Sequence, residues 1–135
     1  MEQKKILIAC LGTTVDQAAI MMSRRGVGAV LIVEQQELVG IFTERDLVFR
    51  VVARGLDVKT TCLADVMTHS PMTVSPDDLF GYALVLMHEN GFRHLPVLEN
   101  GQIVGMVSAR NALDPELEEF TVESMRRRQI TRRSQ

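Results

Sequence analysis

The chain has 135 residues, 46% of them hydrophobic, and a net charge of −2. That length allows one ordinary domain or two small repeats sharing a core, and the charge argues against a globally basic nucleic-acid binder. The run KKILIACL opens no secretory signal and falls far short of the roughly 20 apolar residues of a membrane span. A cytoplasmic protein with no membrane segment is therefore expected, with Cys10 and Cys62 as buried thiols in a reducing compartment.

Ile6 to Leu11 reads as a short strand. Thr14-Val-Asp-Gln17 is a capping-box pattern that opens a helix, and Gly26 ends it as a left-handed cap. Ala29 to Val33 is a continuous apolar strand, Glu34 to Glu37 a turn, and Leu38 to Phe42 the return strand. Thr43 caps a second helix running to about Arg54, with Gly55 beyond its end. Residues 56–70 read as a connection that passes into a strand near Met72–Val74. Ser75-Pro76-Asp77-Asp78 predicts the start of a further helix, which Asn90-Gly91 ends. Leu95 to Leu98 and Ile103 to Val107 form a second hairpin around the tight-turn signal Asn100-Gly101. Ser108 then caps a last helix, interrupted by Pro115.

The stretch from Gly26 to Asp46 occurs twice. One offset, with no gap, carries Gly26 onto Gly91, Val39-Gly40 onto Val104-Gly105, Thr43 onto Ser108, Arg45 onto Arg110 and Asp46 onto Asn111. Upstream it carries Ala18 onto Ala83 and Met22 onto Met87. This is an internal duplication of a β-α-β-β-α unit. A repeat of about 55 residues is marginal alone, so the two are expected to pack as one module. The division expected is 5–60 for the first repeat, 61–114 for the second and 115–135 for a basic tail. The tail places Glu116, Glu118 and Glu119 first and Arg126–Arg128, Arg132 and Arg133 last. That order suits a solvated or dimer-packed helix; an anionic partner such as nucleic acid is the other reading.

Catalysis finds little support. The sequence holds no Cys/His pair, P-loop, nucleophile elbow or metal-ligand cluster, and His69, His88 and His94 are isolated. A non-enzyme without a metal is expected. Thr43-Glu44-Arg45-Asp46, on spacing alone, is a capping box that needs no ligand.

The tandem repeat, the linker VMTHSPMTVSPDD, the stretch GFRHLPVLENGQIVGMVS and the Thr-Glu-Arg-Asp after a hairpin together resemble the CBS domain pair, or Bateman module, over residues 5–113. The resemblance implies an α/β (α+β) fold in which two repeats pack through their sheets about a pseudo-twofold axis. It implies two clefts that take adenosine compounds: AMP, ADP or ATP first, S-adenosylmethionine or NAD after them. The family's ribose pattern, Ser/Thr-x-x-Asp, falls on Thr43 and Asp46, whose carboxylate would accept hydrogen bonds from the diol. Pro71, Met72 and Thr73 would hold the adenine. Arg93 and His94, with Arg45 and Arg110, would reach phosphates, although Arg93-His94 also reads as a surface pair or a dimer contact. In the second copy Ser108 and Asn111 occupy the pattern. Asn lacks the charge, so one nucleotide per chain is expected. The implied function is a regulatory or energy-sensing module that acts through an effector protein, as a homodimer. The other reading is a ligand-free interaction or dimerisation module with vestigial clefts, with no effector domain within these 135 residues.

Overall fold

The computed structural model describes residues 6–91 and 93–108, which divide into two units, one ending at Pro71 and the other beginning at Met72. The tail, the helix after Ser108, Arg110 and Asn111 lie outside the described residues.

In the first unit the apolar run narrows to β1 (Ile8–Ala9), parallel to β2 (Ala29–Glu34). Helix α1 (Val15–Arg25) joins them. Its first turn is closed by the expected box: the Gln17 amide donates to Thr14 Oγ1 at 3.2 Å, and the Thr14 amide to Gln17 Oε1 at 3.0 Å. Gly26 ends it with φ of 66°, where a side chain would be strained. β2 returns antiparallel as β3 (Glu37–Thr43), and β4 (Thr68–His69) adds the fourth strand, giving the order β1-β2-β3-β4.

The chain after β3 departs from a plain helix. A turn of α2 (Glu44–Asp46) widens into a π-helical segment, Leu47–Val52. The Ala53 amide reaches the Val48 carbonyl at 2.9 Å. The connecting residues are also more ordered than expected, folding into α3 (Leu63–Val66) before β4. Leu63, Val66 and Met67 join Leu7, Val15, Ala18, Met22, Val30, Ile32, Phe42 and Val51 in one buried core.

In the second unit, α4 (Phe80–Asn90) precedes the hairpin of β5 (His94–Glu99) and β6 (Gln102–Ser108). Ala83, Met87, Leu95, Val97 and Val107 form its core with Val74. The expected strand at Met72–Val74 reduces to one parallel bridge, Val74 to Val97. The helix starts at Phe80, later than the Ser75 start predicted from sequence. The Ser75 amide donates to Asp78 Oδ2 at 2.7 Å and the Asp77 amide to Ser75 Oγ at 3.0 Å, so these residues close a turn of their own. Leu79 then remains extended. The duplication survives in detail: the offset carries the Ala9–Ile32 pairing onto Val74–Val97, and the register shift at Ile32/Val33 onto that at Val97/Leu98.

The cysteines do not follow expectation. Cys10 is exposed and Cys62 half-buried, because β1 ends at Ala9 and leaves Cys10 in the following turn. The Thr13 hydroxyl, 3.3 Å from the Cys10 thiol, lowers its pKa, helped by the Gly12 backbone.

The two hairpin turns solve one problem with different residues. Asn100 and Gly101 take φ of 54° and 79°, whereas Gln35 and Gln36 are held at 50° and 68°. Left-handed backbone strains a residue with a long side chain, and Asn-Gly is the favoured pair for such turns. Replacing Gln35-Gln36 by Asn-Gly should stabilise the protein by about 1 kcal/mol, read as a higher urea midpoint at unchanged slope.

Candidate functional site

The first turn after β3 gathers the polar groups of the first unit. Thr43 stays extended, with φ of −123° and ψ of 170°, so its hydroxyl turns onto the helix it caps. The Asp46 amide donates to Thr43 Oγ1 at 3.3 Å, and the Thr43 amide donates back to Asp46 Oδ2 at 2.9 Å. The Thr43 hydroxyl lies 3.2 Å from the same oxygen. One oxygen of the carboxylate is thus taken up by the cap. Oδ1 faces Arg50 Nε at 3.5 Å.

Arg50 was not singled out by the sequence pattern. An acid followed four residues later by a base is a common helix-surface pair, and that spacing was the only local signal for it. Its Nη1 also donates to the backbone carbonyls of Val66 at 3.3 Å and Met67 at 3.1 Å. Arg45 takes a different direction: its guanidinium lies 5.2 Å from the centroid of the Phe49 ring, a cation–π contact on the exposed side.

Asp46 is only 8% exposed, and burial holds its carboxyl above the usual carboxylate range. Hydrogen bonding to Thr43 and the charges of Arg50 and Arg45 act against that rise and do not cancel it. This is a carboxylate constrained by its surroundings, and such groups cluster at functional sites.

The structure brings Thr43, Arg45 and Asp46 together in one turn. Pro71, half-buried, closes the same unit. Met72, Thr73, Arg93, His94 and Ser108 belong to the second unit. There Met72 is exposed, with its sulfur 3.9 Å from Asn90 Nδ2. Arg93 is exposed just before β5, and His94 and Ser108 are register partners across the β5–β6 hairpin. Among the described residues no group of three or more His, Cys, Asp or Glu side chains could hold a metal ion, and no helix is long and apolar enough to cross a membrane.

The family model for the CBS domain matches residues 3–53 and 63–115. The chain belongs to the CBS domain family. Its second CBS match begins at 63, although Leu63, Val66 and Met67 pack into the first unit's core. A CBS domain-containing protein of Arabidopsis thaliana is 41% identical over 103 residues, which are 76% of this chain and 19% of that protein. The chain spans about a fifth of the length of the first curated relatives it matches. A putative signal-transduction protein with CBS domains from Burkholderia ambifaria superposes with a TM-score of 0.77 at 31% identity, covering 83% of this chain and 82% of that one. A CBS domain protein from Pyrobaculum aerophilum, complexed with AMP, superposes with a TM-score of 0.72 at 25% identity, covering 85% and 92%.

The elevated Asp46 pKa has a signed consequence. A carboxyl that holds its proton more tightly folded than unfolded makes stability fall as pH rises from the ordinary carboxyl value through the raised one. Asp46→Asn removes that titration while keeping an acceptor for the Thr43 amide. Wild type should therefore gain stability relative to Asp46→Asn as pH falls through that interval, measured as the difference between their urea midpoints. Asp46→Ala, which also loses the acceptor, should lie about 1 kcal/mol below Asp46→Asn at neutral pH.

Proposed function

We propose that this CBS domain pair is a regulatory module that binds an adenosine ligand (AMP, ADP or ATP) and passes its occupancy to a partner protein. The observation that carries this reading is the Asp46 carboxylate. It is fixed by Thr43 in the first helical turn, nearly buried, and keeps Oδ1 outside the cap. A ribose diol offers two hydroxyl donors to such a carboxylate, with charge-assisted hydrogen bonds. A related CBS protein complexed with AMP supports the ligand class. Pro71, Met72 and Thr73 are assigned to the adenine, and Arg93 and His94, with Arg45 and Arg110, to phosphates. Ser108 and Asn111 form the weaker second copy, because the amide of Asn111 lacks the charge. CBS domain pairs are regulatory modules. An effector outside this chain would read the ligand through its different affinity for two arrangements of the module.

A second reading has its own observation. The π-helical segment exposes Val48, Phe49 at 60% and Val52 at 63%, and α4 exposes Tyr82 and Val85. Apolar helix faces of this kind favour self-association, with a homodimer as the simplest closed assembly. On this reading Asp46 serves the cap alone and the module is a scaffold.

A thermal-unfolding panel separates the two. AMP, ADP, ATP, S-adenosylmethionine and NAD are tested at millimolar concentration on wild type, Asp46→Asn and Asp46→Ala. A ligand at about a hundred times its dissociation constant stabilises by about 2.7 kcal/mol, a rise of several degrees for a chain this size. That rise in wild type, and its loss in both variants, is the expected result. No shift with any compound, from a folded oligomer, would leave the scaffold reading.

A further inference from the structure

Arg50 is fixed more firmly than its 40% side-chain exposure suggests. The carbonyls of Val66 and Met67 that receive its Nη1 belong to core residues at the C-terminal end of α3, both at most 3% exposed. Those carbonyls cannot move without disturbing the core, so they anchor one arm of the guanidinium. Met67 is itself pinned against β3: a Cβ on Gly40 would lie 2.7 Å from Met67 Cε and overlap its sulfur, so the methionine occupies the space that the missing side chain leaves. The anchored fork then presents Nε toward Asp46 Oδ1.

The geometry divides the labour on Asp46. Oδ2 is held by the Thr43 amide and faces the Thr43 hydroxyl. Oδ1 meets Arg50 at 3.5 Å, which is longer than a charge-assisted hydrogen bond. At that distance the guanidinium balances the charge without saturating the oxygen. Arg45, the other guanidinium acting on Asp46, lies over the Phe49 ring and acts on the carboxylate less than Arg50 does.

The duplication supplies an internal comparison. The offset that carries Asp46 onto Asn111 carries Arg50 onto Pro115. The copy that lacks the carboxylate also lacks the cation. That is the pattern expected if Arg50 serves the carboxylate rather than the general stability of the repeat.

We propose that Arg50 is the positioning residue of this site, holding Asp46 charged and aimed so that the site selects ligands with an intact ribose diol. The proposal rests on the nucleotide reading above and adds to it a residue outside the Thr-x-x-Asp pattern. Arg50 acts through Asp46 and makes no contact with phosphate. Arginine and lysine differ here, because lysine carries the charge but has no fork to span the two carbonyls and the carboxylate.

The test is calorimetric titration of wild type, Arg50→Gln and Arg50→Lys with the tightest of AMP, ADP and ATP and with its 2′,3′-dideoxy analogue. Wild type should prefer the ribonucleotide by about tenfold or more, the worth of a charged hydrogen bond. Arg50→Gln should lose most of that preference while its affinity for the dideoxy analogue stays within about twofold, and Arg50→Lys should fall between. Thermal melts of each variant report folding, and if Arg50→Gln fails to fold, Arg50→Lys decides alone. Equal losses for both analogues would assign Arg50 to phosphate or to general structure and overturn the proposal, as would an unchanged preference. Wild type that binds neither ligand would instead overturn the nucleotide reading itself, and this proposal with it.

Discussion

A carboxylate taken almost out of water must be hydrogen-bonded and balanced by charge, or it takes up a proton. Asp46 is in that position, and much of the first unit's polar structure is arranged around it. Thr43 must stay extended to end β3 and cap α2, which puts its amide and hydroxyl onto Oδ2. Arg50 must reach Oδ1 while its other arm is held by the C-terminal end of α3. Those carbonyls are in place because Leu63, Val66 and Met67 are core residues, and Met67 lies against β3 because residue 40 has no side chain. The site is thus supported from the backbone of one segment, through a single guanidinium, to one oxygen.

The duplicated unit separates features that repeat from features that do not. Sheet pairing, register shifts and left-handed helix ends repeat under the offset, and Gly26 and Gly91 both take positive φ. The helix start does not repeat: Thr14 has the box, whereas Leu79, its counterpart, has no side-chain cap. Nor does Gly40. Its counterpart Gly105 has, among the described residues, Val97 at ordinary contact distance.

Local chemistry was readable from sequence wherever four or five neighbouring residues decide the outcome. The boxes at Thr14 and Thr43, the caps at Gly26 and Gly91 and the Asn100-Gly101 turn are of that kind, because each closes through hydrogen bonds or a backbone angle within one turn. The same locality misled at Ser75, where the residue types of a helix start instead completed a turn ahead of the helix. The expected burial of Cys10 fails because its exposure depends on where the sheet stops pairing. Arg50 was missed because two of its three partners lie 16 and 17 residues away. Side-chain to backbone contacts over that distance leave no periodic trace in a sequence.

The segment that carries the candidate site also carries Phe49 and Val52, the two most exposed large apolar side chains among the described residues of the first unit. Along one short segment, Asp46 and Val51 are buried while Val48, Phe49 and Val52 face outward, and Arg45 covers the Phe49 ring. The widened π-helical turn lets successive residues divide in this way, and such turns recur at functional positions. The proposed ligand carboxylate and the exposed apolar face therefore share one element. A ligand on Asp46 would stiffen the turn that presents Phe49, and association through Phe49 would stiffen the turn that presents Asp46. Any coupling between them must be reciprocal and limited by the difference in ligand affinity between the free and associated forms. On this view the nucleotide and scaffold readings differ in which side of the segment nature uses, and a sensor that signals by assembling needs both.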